Sequence, residues 1–147
     1  MKLLILNGPN LNMLGIREPE IYGNRTYNDL CKLIEDHAQE IGVEAEIRQS
    51  NHEGVLVDWI QEARGKFDGI VLNPAAYTHT SVALLDAVLA AGVPTVEVHI
   101  SDPDQREPFR RVSYLRRACV ACVKGKGFAG YPEAIDELKL RIERINS

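Results

Sequence analysis

The sequence has few cysteines and aromatic residues, no excess of positive charge and no long hydrophobic run. Of its 147 residues, 6% are aromatic and three are cysteines, and the formal net charge is −4. The apolar run near the start spans only Leu3 to Leu6 before the polar Asn7, which is too short for a signal peptide or a membrane span. A net negative charge gives no long-range attraction to nucleic-acid phosphates or anionic membranes. We therefore expect neither nucleic acid nor a membrane as a partner.

The three cysteines, Cys31, Cys119 and Cys122, occur within apolar periodic segments. Buried free thiols in such segments behave as small hydrophobic groups, which is typical of a protein of the reducing cytoplasm. Cys119 and Cys122 have the spacing of a redox or zinc-binding pair, but no second ligand pair accompanies them and both fall in a predicted strand. The four histidines show no paired metal-ligand spacing either. The sequence therefore predicts no metal site.

Short β-branched runs alternate with longer helical patterns along the whole chain. This alternation is typical of an α/β protein in which helices cover both faces of a parallel sheet. A chain of 147 residues fits one domain, residues 1–147, with a single core. The five predicted strands span residues 3–7, 43–49, 69–73, 94–100 and 118–123. The pattern indicates a flavodoxin-like order of strands.

Apolar residues at helical spacing predict the helices between these strands. The first helix begins after Thr26, a plausible N-cap, and Gly42 ends it. Further helical patterns occupy residues 55–63, 82–91 and 135–145. The helix over 82–91 is apolar nearly all round apart from Asp86, which is more than a surface helix needs. We therefore expect this helix to contact another subunit.

Two segments, residues 8–24 and 101–108, are rich in Gly, Pro, Asn or Asp and are expected to lack regular structure. Both follow predicted strands, and ligands of open parallel sheets bind at the carboxyl ends of strands. A loop as long as the first is uncommon in a compact domain unless it serves as a lid. These two loops are therefore the first candidates for the functional site.

Glu97 and His99 lie two residues apart at the end of the predicted fourth strand. The two-residue period of a strand places both side chains on the same face. A carboxylate so placed can fix the tautomer of the imidazole and raise its basicity, as a general acid or base requires. A purely structural ion pair is an equally open interpretation.

Polar residues follow the predicted third strand from Asn73 to Ser81, where a helix begins. Unpaired backbone N–H groups at a helix N-terminus suit an anion or sugar-like hydroxyl groups. Capping of the helix by Thr80 or Ser81, without any ligand, is the commoner outcome.

Arg17 and Tyr22 lie five residues apart in the first loop. A phenol has a pKa of about 10 and becomes a competent base only where a cation stabilises its ionised form. Arg17 could supply that cation, although a single Arg and Tyr in a loop are by default solvated residues.

A glycine-rich segment, residues 125–130, matches the dinucleotide-binding fingerprint G-x-G-x-x-G. The fingerprint belongs to the first βαβ unit of a fold and needs an acidic residue on the following strand, whereas here only one helix follows. We therefore expect no nucleotide cofactor. A flavodoxin-like nucleotide-binding or regulatory module stays open as an alternative class of function.

Four motifs together resemble the type II 3-dehydroquinate dehydratases. They are NGPNLNMLGIREPEIYG from residue 7, NPAAYTHTSVAL from residue 73, EVHIS from residue 97 and REPFRRVSY from residue 106. The resemblance implies a flavodoxin-like subunit that assembles as a homododecamer, a tetramer of trimers. It also implies the anti elimination of water from 3-dehydroquinate through an enolate, without a cofactor. The reaction would serve the shikimate pathway or, alternatively, the breakdown of quinate.

The resemblance assigns catalytic roles to five positions. Tyr22 matches the base that takes a proton beside the ketone, and Arg17 matches the lid arginine that keeps this phenol ionised. His99 matches the acid that protonates the departing hydroxyl, and Glu97 would orient it. Asn10 matches a residue that helps to position water against the enolate oxygen.

The resemblance also implies six substrate-binding residues. They are Asn73, Ile100 and Ser101 around the carboxylate, His79 and Arg110 at the ring hydroxyls, and Asp86, which would reach in from a neighbouring subunit. The chain departs from the family at Arg116 and Arg117, where relatives often carry a small residue and proline.

Overall fold

The computed structural model describes residues 1–16 and 18–147 and, for Tyr22, the backbone alone. The strands in this part of the chain are β1 (Lys2–Asn7), β2 (Glu44–Gln49), β3 (Gly69–Asn73), β4 (Thr95–His99) and β5 (Ala121–Lys124). The α-helices there are α1 (Pro19–Tyr22), α2 (Tyr27–Glu40), α3 (Glu53–Ala63), α4 (Val82–Ala91) and α5 (Gly130–Ile145).

All strand pairs are parallel, and the sheet has the order β2-β1-β3-β4-β5. Strand β2 lies on one side of β1, and the later strands β3, β4 and β5 follow on the other side. The direction in which strands are added therefore reverses after β2, and the switch point lies between β1 and β3. Asn7 is in register with Asn73, which brings the carboxyl ends of these two strands side by side. The predicted flavodoxin-like α/β fold is confirmed, and its switch point is where such sheets bind ligands.

The alternation of side chains along β1 divides the core into two layers. Leu3 and Ile5 belong to the layer that contains α2 and α5 residues, whereas Leu4 and Leu6 belong to the layer with α3 and α4 residues. All four leucine and isoleucine side chains have no solvent exposure. Burial of each contributes roughly 1.5–3 kcal/mol, so helices on both faces hold the central strands in place.

Helix α2 begins with a reciprocal hydrogen-bonded cap. The backbone N–H of Asp29 donates to Thr26 Oγ1 at 3.1 Å, and the backbone N–H of Thr26 donates to Asp29 Oδ2 at 2.8 Å. After the helix, Gly42 has a φ of 73°, a left-handed conformation that glycine adopts without steric cost. Both predicted ends of this helix are confirmed.

The two loops that were expected to lack regular structure contain short helices, so that prediction is partly wrong. The first loop holds a 3-10 helix, Leu11–Met13, as well as α1, and the second holds the 3-10 helix Pro103–Gln105. Pro19 and Pro103 each stand at the start of their helix, where proline presets φ and its missing N–H is no loss. Proline in such a segment predicts a loop, although at these positions it favours a helical turn.

The predicted fifth strand also begins too early. Residues 116–118 form a 3-10 helix, and the strand begins only at Ala121. Cys122 therefore lies in β5, as predicted. Cys119 lies before this strand, so its predicted place in a strand is wrong. Within the described residues, none of the helices combines the length and the apolar character that a membrane crossing requires.

Candidate active site

A cavity of about 140 Å³ opens at the carboxyl edge of the sheet, beside the switch point. Three loop segments surround it, and they follow β1, β3 and β4. The lining residues are Pro9, Asn10, Leu11, Asn73, Ala75, Ala76, His79, His99, Ile100, Ser101, Pro103, Arg106 and Arg110. The cavity therefore lies where the sequence predicted a site, and both predicted loops contribute to its wall.

Most of the predicted site residues that the structure describes meet in this cavity. Those in the lining are Asn10, Asn73, His79, His99, Ile100, Ser101 and Arg110. Glu97 is fully buried behind His99, and Asp86 is exposed on α4 and does not line the cavity of its own chain. Arg17 and the side chain of Tyr22 lie outside the described residues.

His99 is held by Glu97 at the end of β4. The ring Nε2 of His99 lies 2.6 Å from Glu97 Oε2, and the carboxylate has no solvent exposure. An ionised carboxylate only accepts hydrogen bonds, so Nε2 carries a hydrogen and Nδ1 is the ring nitrogen left to exchange a proton with a ligand. The predicted contact between the two side chains is confirmed.

Further groups converge on the Glu97 carboxylate. Ser113 Oγ donates to Oε1 at 2.9 Å, Cys122 Sγ donates to Oε2 at 3.7 Å, and Arg116 Nη2 lies 3.7 Å from Oε2. Burial acts to raise the pKa of Glu97, but the hydrogen bond from His99, with help from Ser113 and Arg116, outweighs it and lowers that pKa. Glu97 is therefore an ion at neutral pH and accepts the hydrogen bond from His99.

His79 has a different electrostatic environment on the same cavity. Burial lowers its pKa, and the nearby positive groups His99 and Arg110 act in the same direction. Its Nδ1 lies 2.6 Å from the carbonyl oxygen of Val112, and because a carbonyl only accepts, Nδ1 carries the hydrogen. A neutral His79 thus has Nε2 free to accept a hydrogen bond from a ligand hydroxyl. The cavity therefore pairs a histidine held by a carboxylate with a neutral, hydrogen-bonding one.

Asn73 is fixed at the end of β3 by a buried network. Its Nδ2 donates to Tyr131 Oη at 2.9 Å, and Tyr131 Oη donates to Asn7 Oδ1 at 2.6 Å. Its Oδ1 accepts from the N–H of Ala75 at 3.1 Å. These contacts fix the orientation of the amide and leave the second Nδ2 hydrogen for a ligand.

The segment after β3 combines a strained residue with a helix cap. Ala75 has a φ of 52°, which is unusual for a residue with a Cβ and is typical of functional sites. Ser81 Oγ accepts from the N–H of Leu84 at 2.9 Å, so Ser81 caps α4. The capping interpretation of this serine is therefore confirmed.

Gly8 allows the first loop to approach this segment closely. Its N–H donates to the carbonyl oxygen of Asn73 at 2.8 Å, and a Cβ at this position would lie 2.7 Å from the carbonyl oxygen of Pro74. The next residues bring Asn10 to the cavity, with a left-handed φ of 69° that Asn tolerates. Asn10 is tied down because its N–H donates to Asn51 Oδ1 at 3.0 Å.

Two arginines line the cavity, and each also pairs with a carboxylate outside the lining. Arg106 and Arg110 line it, and no acidic residue does so in the described part of the chain. Sequence reasoning assigned no role to Arg106, whose place in an irregular loop gave no periodic signal. Its guanidinium also lies 3.6 Å from Glu18 of the first loop. Two guanidinium groups, an amide and a serine suit a small ligand that carries a carboxylate and hydroxyl groups.

Glu97, His99 and Cys122 place three possible metal-ligand atoms within 4.8 Å of one another. The chemistry of the surrounding groups does not suit a cation, because the Arg116 guanidinium already lies beside the carboxylate and burial raises the pKa of the Cys122 thiol. We interpret the cluster as a hydrogen-bond network.

The fold and the cavity define a class of protein, namely an α/β enzyme with a carboxylate-held histidine at the carboxyl edge of a parallel sheet. Residues 1–139 match the family model described as Dehydroquinase class II, and the chain belongs to this family.

Named relatives align with nearly the whole chain. It is 53% identical over 139 residues to a 3-dehydroquinate dehydratase from Clostridium acetobutylicum, covering 95% of this chain and 96% of the relative. It is 48% identical over 141 residues to a catabolic 3-dehydroquinase from Aspergillus clavatus, covering 96% and 94%. The crystal structure of a type II dehydroquinase from Butyrivibrio crossotus superposes with a TM-score of 0.93 at 48% identity, covering 95% of this chain and 97% of that one.

Proposed function

We propose that the cavity binds 3-dehydroquinate and eliminates water from it to give 3-dehydroshikimate. The observation that carries this proposal is His99, held by the buried Glu97 at 2.6 Å in a cavity that two arginines line. Membership of the class II dehydroquinase family supports the same reaction. No cofactor or metal takes part in the proposed route, and residues 1–147 act as one domain.

The substrate carboxylate binds to Asn73, Ser101 and the backbone of Ile100. The network behind Asn73 supports this assignment, because it presents one amide hydrogen to the cavity in a fixed direction. His79 and Arg110 hold the ring hydroxyl groups. The neutral His79 accepts a hydrogen bond through Nε2, since Val112 occupies the hydrogen on Nδ1.

The reaction begins with removal of a proton beside the ketone. This proton is only moderately acidic, so its removal needs a strong base and support for the enolate oxygen. Tyr22, as a phenolate kept ionised by Arg17, is the proposed base, and Asn10 positions the water that stabilises the enolate. The assignment of Tyr22 and Arg17 rests on the family motif from residue 7.

The reaction ends when the enolate expels the hydroxyl group from the opposite face of the ring. His99 gives its Nδ1 proton to the departing oxygen, which leaves as water, and the electron pair of the enolate forms the new C=C bond. Glu97 keeps His99 oriented and favours its protonated form before the step. Tyr22 then holds the proton taken from carbon, and solvent returns both residues to their starting states.

We propose that the protein assembles as a dodecamer, a tetramer of trimers. Support comes from α4, where the apolar Val82 and Leu89 are 52% and 59% exposed. Asp86 is exposed on the same helix, and in the assembly it reaches into the cavity of a neighbouring subunit. Light scattering should give a mass near twelve chains. Leu89→Glu should dissociate the assembly and lower activity, whereas Leu140→Glu, at an exposed leucine of α5, should not.

We assign the reaction to the shikimate pathway in the cytoplasm, with the breakdown of quinate as the alternative role of the same chemistry. The relative from Aspergillus clavatus is named a catabolic enzyme, which keeps that alternative open. Growth of a deletion strain separates the two roles. Loss of growth without aromatic amino acids supports biosynthesis, and loss of growth on quinate alone supports breakdown.

The direct test is incubation of the protein with 3-dehydroquinate while the ultraviolet absorption of the enone product is followed. We expect wild-type turnover, and loss of turnover in Tyr22→Phe and in His99→Ala. Tyr114→Phe and His37→Ala are the matched controls, because neither residue lines the cavity. Absence of enone from wild type, together with a thermal shift from nucleotides, would favour a nucleotide-binding module instead.

A further inference from the structure

Arg116 lies behind the site and has no role in the reaction described so far. It belongs to the 3-10 helix of residues 116–118, outside the cavity lining. Its Nη2 lies 3.7 Å from Glu97 Oε2, the same oxygen that accepts from His99. The Glu97 carboxylate therefore lies between the guanidinium of Arg116 and the imidazole of His99 and interacts with both.

The surrounding contacts fix the position of Arg116. Its backbone N–H donates to Ser113 Oγ at 3.1 Å, and the same hydroxyl donates to Glu97 Oε1 at 2.9 Å. Its Nε is buried and has no hydrogen-bond partner within the described residues, but the guanidinium interacts with the Glu97 carboxylate and with the Cys122 thiol.

We propose that Arg116 is a positioning residue that makes His99 a stronger proton donor by offsetting part of the negative potential of Glu97 at the imidazole. This inference rests on the proposed roles of Glu97 and His99. The positive guanidinium repels the imidazolium, and this repulsion cancels part of the attraction between the imidazolium and the Glu97 carboxylate. The protonated His99 therefore gives up its proton more readily to the departing hydroxyl.

Other titratable or charged groups face this cluster and do not replace Arg116. They are Cys119, Cys122 and Lys124 on the β5 side, Asp104 after β4, and His79 and Arg110 on the cavity side. Burial raises the pKa of Cys119 to about 12, so this thiol is neutral. Asp104 and Lys124 form an ion pair with each other, so their charges largely cancel at Arg116.

The test compares Arg116→Gln with Arg117→Gln. Both variants lose one positive charge from the same short helix, but Arg117 is exposed and no contact joins it to Glu97. In Arg116→Gln we expect the basic limb of the pH profile of kcat/KM to shift to higher pH by roughly half a unit. The shift is small because the guanidinium is partly exposed and its charge is screened by solvent. We expect kcat near neutral pH to fall about threefold with KM unchanged. Arg117→Gln should match wild type, and Arg116→Lys should restore the profile.

NMR titration of the His99 ring without substrate gives a second measurement that needs no turnover. The midpoint of this titration should shift to higher pH in Arg116→Gln, in the same direction as the kinetic limb. It should shift in the same direction in Arg116→Ser, which carries the kind of small residue often found in relatives. Unchanged midpoints in both variants would overturn the inference. So would loss of the circular dichroism signal in both while Arg117→Gln stays folded, since Arg116 would then be a structural residue. Failure of wild type to form the enone would instead refute the proposed reaction.

Discussion

The replacement Glu97→Gln tests the central contact of the site, because it keeps the shape of the side chain and removes only its charge. The amide oxygen can still accept from His99 Nε2, so the ring keeps its orientation while the protonated ring loses its counter-charge. A hydrogen bond to a charged group contributes roughly 1.5–3 kcal/mol, and about 1.4 kcal/mol corresponds to a factor of ten in rate. Glu97 keeps the proton donor in its charged form and Arg116 offsets only part of this effect, so we expect kcat to fall on the order of 10–100-fold when the whole charge of Glu97 is lost.

The substrate does not touch Glu97, which has no solvent exposure behind His99, so KM should change little. Steady-state formation of the enone from 3-dehydroquinate measures both constants. Glu133→Gln is the matched control, since this exposed carboxylate pairs with Lys126 and not with the site. Wild-type kcat in Glu97→Gln would refute the reasoning, because it would mean that the buried charge contributes nothing to the proton transfer.

Three further predictions concern stability and the approach of the loops. Thr26→Ala should lower the free energy of unfolding by about 1 kcal/mol through loss of the α2 cap, as urea denaturation would measure. Gly8→Ala should lower kcat/KM by at least about tenfold, because its Cβ would lie 2.7 Å from the carbonyl oxygen of Pro74 and push the first loop away from the cavity. The lowered pKa of His79 predicts a pH effect. Below a pH of about 6.5, the imidazole of His79 binds a proton more readily in the unfolded chain than in the folded protein. The free energy of unfolding should therefore fall from pH 7 to pH 5.5, and it should fall less in His79→Asn.

These predictions have internal controls. Thr80→Ala removes a hydroxyl group from an exposed threonine beside a helix that Ser81 already caps, so equal losses from both threonine variants would contradict the capping argument. Normal kinetics in Gly8→Ala would show that the loop does not need the close approach. The pKa of Glu97 is lowered, so its contribution to stability is present above about pH 4.5 and does not vary in the range used for His79. A pH dependence unchanged by His79→Asn would contradict the assignment.

The positions of the strands and main helices along the chain could be predicted because they follow from local periodicity, although α5 begins at Gly130 and not at residue 135 as predicted. The residues of β3 and of α4 agree with the predicted ranges. The contact between Glu97 and His99 was predictable for the same reason, since a strand repeats every two residues. The 3-10 helix of residues 116–118 was not, because a single turn is too short to show a period.

Local periodicity predicts the parallel α/β fold and the contact between Glu97 and His99, because strands repeat every two residues and helices about every four. What surrounds that pair depends on how the chain packs in three dimensions. Ser113 and Arg116 meet Glu97, and Arg106 reaches the cavity, because irregular segments return to the sheet at angles that no repeat encodes. Such contacts depend on how distant segments of the domain pack together, and this packing produces no periodic pattern in the sequence.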